Sequence, residues 1–240
     1  MKSIIRAELL KQKRTFGKKL VWIAPIITIL FVLLLMGSRN IQNGSYNWWY
    51  MIILPGSLTM ISSFIVVNEK KRKYHGLFSV LIDIKKLWYS KIVVCTKYLA
   101  LTCLLFFLGI TISGFLFGDK ISIVNSLVGS ILIFILFLWQ IPLWMFLSMK
   151  ISTGFSVALS ILFNFGVAAV CATGSMWWIP FSIPARVMIS VIGVMPSGVY
   201  AEVGYNLING NAIPIGIVIS IGLYLVLSYF SAKCFEKQEV

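Results

Sequence analysis

Long apolar runs separated by short polar breaks set the pattern of this chain. A helix needs about 20 consecutive apolar residues to cross the hydrocarbon layer of a bilayer. Six runs meet that length: Leu20–Gly37, Trp48–Asn68, Ile92–Gly118, Ile123–Met149, Ser152–Ser175 and Ala212–Ala232. The first is too long for a signal-peptide core and no small-residue cleavage site follows it, so an uncleaved span is predicted. The second opens on Trp48, Trp49 and Tyr50, an aromatic anchor suited to a membrane interface. The fourth is interrupted only by Gln140 and Pro142.

Residues 176–211 break the pattern with Trp177, Trp178, Pro180, Pro184, Pro196 and Gly198. Their longest apolar stretch, Val187–Met195, is too short to cross. Backbone at membrane depth must bond internally or face protein or water, so a re-entrant helix pair or an interfacial lid is predicted, with a seventh span as the alternative. Residues 1–19 carry another signal. At 100° per residue Ile5, Leu9 and Phe16 fall on one face, which predicts a short basic amphipathic helix lying in the headgroup layer. Gly17 is placed to turn that helix into the first span. A disordered basic tail is the competing reading.

Composition agrees with the spans. Of 240 residues, 59% are hydrophobic and 12% charged, where a soluble chain carries about 25% charge. The predicted fold class is all-α: a single polytopic transmembrane domain over 1–240 with six helices. The net charge of +14 changes the picture through its distribution. Seven Lys and Arg lie in residues 1–19, eight between Lys70 and Lys97, and three at Lys150, Lys233 and Lys237. Only Arg39, Lys120 and Arg186 fall on the other side of the predicted topology. Such a bias orients a chain with its basic side in the cytoplasm. The prediction is a multi-pass plasma-membrane protein with both termini cytoplasmic and no nucleic-acid partner.

Familiar reaction chemistry is missing from the sequence. Gly17-Lys18 has Gln12 where a P-loop needs its first glycine, and Lys19 where it needs Ser or Thr. Gly114 and Gly118 flank Leu116, not a nucleophilic Ser. A lone histidine, His75, and seven acids leave no zinc motif or carboxylate pair. Cys95, Cys103, Cys171 and Cys234 form no CxxC and read as reduced apolar fillers. No enzyme, metal or cofactor is predicted for this chain. Lys97 is almost the only ionisable residue within a span, which argues against an ion or proton relay. A transporter of this build needs its energy from a partner.

Residues 69–91 form the most informative loop. Lys70-Lys71-Arg72-Lys73 leads into Tyr74, His75 and Gly76, then an apolar turn and a half. Leu77, Val80 and Leu81 share a helical face, with Phe78 beside them. So short an apolar helix outside the membrane needs a partner's groove or the bilayer surface to bury against. His75 fits that contact better than a metal site.

These stretches resemble the ABC-2-type exporter permeases. More narrowly the chain is similar to lantibiotic immunity permeases of the MutE/EpiE type, with the EpiG/MutG type as second choice. The stretches that carry the likeness are Ala7–Phe16 leading to Trp22-Ile23-Ala24-Pro25, Tyr46–Tyr50 with Leu54-Pro55-Gly56, the Glu69–Lys91 loop, Trp177–Arg186, and Met195-Pro196-Ser197-Gly198. The resemblance spans the whole chain and includes no catalytic residue. It implies an amphipathic N-terminal helix, six spans, a coupling helix between spans two and three, and re-entrant half-helices before span six. It implies that Tyr74, His75, Gly76, Leu77, Phe78, Val80 and Leu81 couple to an ATPase present in two copies, which holds the ATP and Mg. A sister permease would complete the complex as a hetero- or homodimer. The cargo would be a lantibiotic peptide expelled from the membrane, giving the producer immunity.

The outer segment suits an amphipathic, cationic peptide. Trp177, Trp178, Phe181, Tyr200, Arg186 and the acid Glu202 are the candidate cargo contacts, with an ordinary aromatic belt as the alternative. Gly114–Gly118 offers a small-residue face for helix contact, and Asn164 can hydrogen-bond across spans. Another amphipathic or lipid-like cargo, or a non-transporting membrane scaffold or sensor, stays open.

Overall fold

A computed structural model describes residues 1–13, 15–71, 83–118, 120–202, 206–208 and 210–237. Its helices are α1 (Lys2–Gln12), α2 (Phe16–Met36), α3 (Ile41–Trp48), α4 (Leu54–Lys71), α5 (Ile84–Phe117), α6 (Ile123–Phe137), α7 (Gln140–Lys150), α8 (Thr153–Leu162), α9 (Ala168–Cys171), α10 (Ile183–Ile192) and α11 (Ala212–Glu236). Among the described residues the one β pairing is an isolated antiparallel bridge between Val194 and Tyr200.

Among the described residues five stretches are long and apolar enough to cross a bilayer: Phe16–Met36, Ser38–Val67, Ile84–Phe117, Thr153–Cys171 and Ala212–Glu236. A sixth crossing is made if α6 and α7, bent by 42° at their junction, count as one span. The predicted runs therefore become helices, with two starts moved by two turns or more. The second span begins at Ser38 and not at Trp48: Gln42 and Asn43 turn inward, where Gln42 accepts the Lys120 and Ile121 amides and Asn43 donates to the Gly198 carbonyl. The third begins at Ile84 and not at Ile92: the Asp83 carboxylate accepts the Lys85 and Lys86 amides and caps the helix.

The second span is the hub. Of its apolar stretch 72% is buried, against 22% for Thr153–Cys171 and 17% for Ala212–Glu236. The outer helices turn Leu34, Val170 and Val218 outward, each at least 71% exposed. So much exposed aliphatic surface suits lipid and not water.

Three of the irregularities have a local cause. Pro25 cannot donate to the Val21 carbonyl, and the Thr102 hydroxyl of α5 donates to it instead at 3.1 Å. Pro142 leaves the Leu138 carbonyl free, and the Ile141 amide takes it at 3.1 Å where the α6–α7 pair bends. Spans two and five each contain a π-helical turn, Trp49–Ile53 and Phe163–Val167, and the two turns pack together. In span five Asn164 Nδ2 donates to the Ser160 carbonyl at 2.9 Å, a side chain inserted into the helix ladder.

Two sequence expectations about small residues change. Gly118 sits at φ +100 and ends α5, so it is a terminator with open space where a Cβ would project. The close contact of that region falls at Gly109, where a Cβ would come within 2.6 Å of Ile29 on α2. Gly17 does not turn the chain: it is buried inside α2. The break comes at Thr15, which is extended and precedes α2.

Candidate functional site

At the end of the bundle that carries α1, the start of α5 and the end of α11, ionic contacts gather. Glu8 is the only acid in residues 1–19, and it is 1% exposed. One carboxylate oxygen accepts Lys91 Nζ of α5 at 3.0 Å and the other accepts Lys11 Nζ at 2.6 Å. Lys91 is fully buried. A charge so far from water persists only when paired and hydrogen-bonded. Ile5 and Leu9 pack against the core beside this pair. Phe16 does not share their face: the break at Thr15 puts it in the first turn of α2, 51% exposed, edge-on to Phe64. Nearby, Lys85 pairs with Glu236 at 3.1 Å, and the Trp88 indole donates to Ser231 of α11 at 2.9 Å. The Lys86 hydrogen bond holds the exposed Asp83 carboxyl below its usual range. Tyr74, His75, Gly76, Leu77, Phe78, Val80 and Leu81 lie outside the described residues, between α4 and Asp83.

Halfway along the bundle, Gln140 and Asn164 exchange hydrogen bonds at 2.8 and 3.1 Å. The Trp144 indole donates to the same Gln140 oxygen at 3.2 Å. Both amides are buried. The inter-span bond expected of Asn164 is thus formed, and its partner sits at the start of α7, beside the bend.

At the opposite end α3 holds the loops with neutral groups. The Gln42 side-chain oxygen accepts the Lys120 and Ile121 amides at 2.8 and 3.0 Å. The Tyr46 hydroxyl donates to the Ser126 carbonyl of α6 at 2.8 Å. Asn43 donates to the Gly198 carbonyl at 2.8 Å, and Asn47 to that of Pro196 at 2.9 Å. These bonds pin a small hairpin, in which the Met195 amide donates to Val199 and the Ala201 amide to Gly193. Gly198, at φ +81, makes its turn.

Segment 176–211, predicted as re-entrant, contains α10. At 10 residues α10 is about 15 Å long, half the thickness of a bilayer core. Ser182 precedes it, Pro184 stands in its first turn, and Gly193 ends it in the left-handed region. α10 packs on α6 and α11. A Cβ at Gly216 of α11 would lie 2.7 Å from Ile183, so only glycine permits this approach.

The six outer residues singled out from sequence separate into four settings. Arg186 is only 7% exposed and its guanidinium lies 5.7 Å from the Trp177 ring centre, which makes both part of α10's packing. Phe181 stacks on Phe163 and meets Trp139 edge-on. Trp178 is 56% exposed. Tyr200 and Glu202 belong to a cup of about 360 Å³ on the hairpin, shared with Met195, Ser197, Val199 and Ala201. Lys120 Nζ lies 5.8 Å from the Tyr200 ring centre. The Tyr200 hydroxyl is buried and has no hydrogen-bond partner among the described residues. Burial pushes it up to about 12, so it stays protonated at neutral pH.

Sequence reasoning missed the Glu8–Lys91 pair and the α3 clamp. A single acid among seven bases was the available signal for the first. The second had the amide-rich Gln42-Asn43, with Asn47 shortly after. Among the described residues no three His, Cys, Asp or Glu side chains converge. The fold is an α-helical bundle with five or six helices long and apolar enough to span a bilayer among the described residues. No family model, curated protein or solved structure matches the chain.

Proposed function

We propose that the chain is the membrane-spanning subunit of an ABC exporter that expels a lantibiotic peptide from the plasma membrane and so protects the producing cell. The observation that carries this reading is α10. A half-length apolar helix, buried in the bundle just before the last span, fits the re-entrant half-helix of the ABC-2-type permeases that the sequence resembles. The basic end faces the cytoplasm in this proposal, as the bias of Lys and Arg favours. Two ATPase subunits dock there and supply ATP and Mg, and a sister permease stands alongside. The buried Glu8–Lys91 pair gives the N-terminal helix a fixed hold on α5. Motion imposed on the segment preceding Asp83 therefore reaches both helices together.

The test is a charge placed in the proposed docking segment. Leu77→Asp should leave membrane insertion intact while cargo-stimulated ATP hydrolysis and protection against the peptide both collapse. A Leu77→Asp strain that keeps full protection would remove the coupling role. Purification in mild detergent should recover a nucleotide-binding subunit in about equal amount, and a permease fraction that hydrolyses no ATP would speak against the exporter.

A further inference from the structure

We propose that the hairpin cup is a binding site for a primary ammonium on an apolar stem, the lysine side chain of an amphipathic peptide, and that Lys120 occupies its aromatic wall until that peptide arrives. The choice of a peptide rests on the exporter reading above. The chemistry of the cup does not.

The cup of about 360 Å³ falls within the range of small-ligand pockets. Among the described residues Glu202 is the one charged group lining it, and Met195 and Val199 supply apolar surface. The Tyr200 ring already holds one ammonium, that of Lys120 at 5.8 Å, a geometry in which the ring quadrupole attracts a cation. Among the described residues Lys120 is hydrogen-bonded through its main chain, its amide donating to Gln42 at 2.8 Å, and its side chain is exposed. The ammonium can therefore swing away while the loop stays put. The hairpin does not yield in the same way, because Asn43 and Asn47 hold it to α3. The cup thus presents the Glu202 carboxylate and the Tyr200 ring, and the cation beside that ring can give way to a second one.

The full chain in phosphatidylcholine nanodiscs, without any ATPase, tests the site. The probe is a fluorescent amphipathic Leu/Lys peptide, compared with the same peptide acetylated on every lysine, with signal from empty discs subtracted. The free-amine peptide should bind more tightly. Glu202→Gln should weaken it about threefold, as removal of one exposed charge contact does. Tyr200→Leu should weaken it about as much, and Lys120→Gln should tighten it by a similar factor. Glu202 is exposed, so its variant folds even if the Tyr200 variant does not. Equal binding of the acetylated peptide, or a Glu202→Gln variant with unchanged affinity, overturns the proposal. So does full competition by phosphatidylethanolamine in the disc, which would make the site a lipid-headgroup contact. Failure here with Leu77→Asp still uncoupling ATP hydrolysis removes the cup and leaves the exporter. Amine-selective binding in a chain that recruits no ATPase keeps the cup and removes the exporter.

Discussion

Where α1 meets α5 and the end of α11, the helices are tied by charges, Glu8 to Lys91 and Lys85 to Glu236, with Lys11–Glu8 and Lys86–Asp83 as pairs within one helix. Where α3 meets the loops, the ties are amides and a phenol bonded to main-chain groups: Gln42, Asn43, Tyr46 and Asn47. The two kinds of tie fail differently. A buried ion pair needs both members, since one charge left behind costs more than the pair contributes. A side-chain amide on a carbonyl adds a modest bond and holds the loop whatever side chains that loop carries. The first arrangement suits an end where helices must move as a unit. The second suits an end where loops must keep a fixed shape around a cup.

The comparison breaks most readily at Glu8. Glu8→Ala strips the carboxylate from buried Lys91 and should cost about 3–5 kcal/mol, seen as a lower melting temperature in detergent. Adding Lys91→Met should recover most of that loss, and a double variant no more stable than Glu8→Ala would deny that the pair is the cause. A smaller effect is expected at the other end. Asn43→Ala or Asn47→Ala should cost about 1–2 kcal/mol and speed amide exchange at Met195 and Ala201, with exchange in α5 unaltered. Unchanged exchange in the hairpin would show that the clamp is dispensable. The smallest effect belongs to Glu236→Gln. Its pair with Lys85 is 41% and 52% exposed, and the melting temperature should stay where it is. A large drop would mean that the two charged contacts act as one network.

The spans were legible because transfer into lipid sums over residues and needs no knowledge of neighbours. Trp48–Asn68 was recognised for that reason, and its true start at Ser38 was not, since Gln42, Asn43 and Ser45 lower the apolar sum. Gln42 and Asn43 are tolerated inside because Lys120, Ile121 and the hairpin meet them. Ile5 and Leu9 lie one turn apart on α1 and both pack against the core, while placing Phe16 required knowing that the helix breaks at Thr15. Asn164 was marked as a bond-former, but nothing local names Gln140 as its partner. Arg186 read as a surface contact and is buried under Trp177.

By itself the sequence determined that the chain is helical, which stretches can lie in lipid, which side is basic, and that residues 176–211 hold a helix too short to cross. Hydropathy, charge bias and length are properties of single segments, and each was complete before folding. Tertiary structure alone decided that the second span is the hub, that Glu8 meets Lys91, and that Tyr200, Glu202 and Lys120 share one corner. These are meetings between distant positions, fixed by how helices pack and where backbone donors are left over, and no segment carries that information alone.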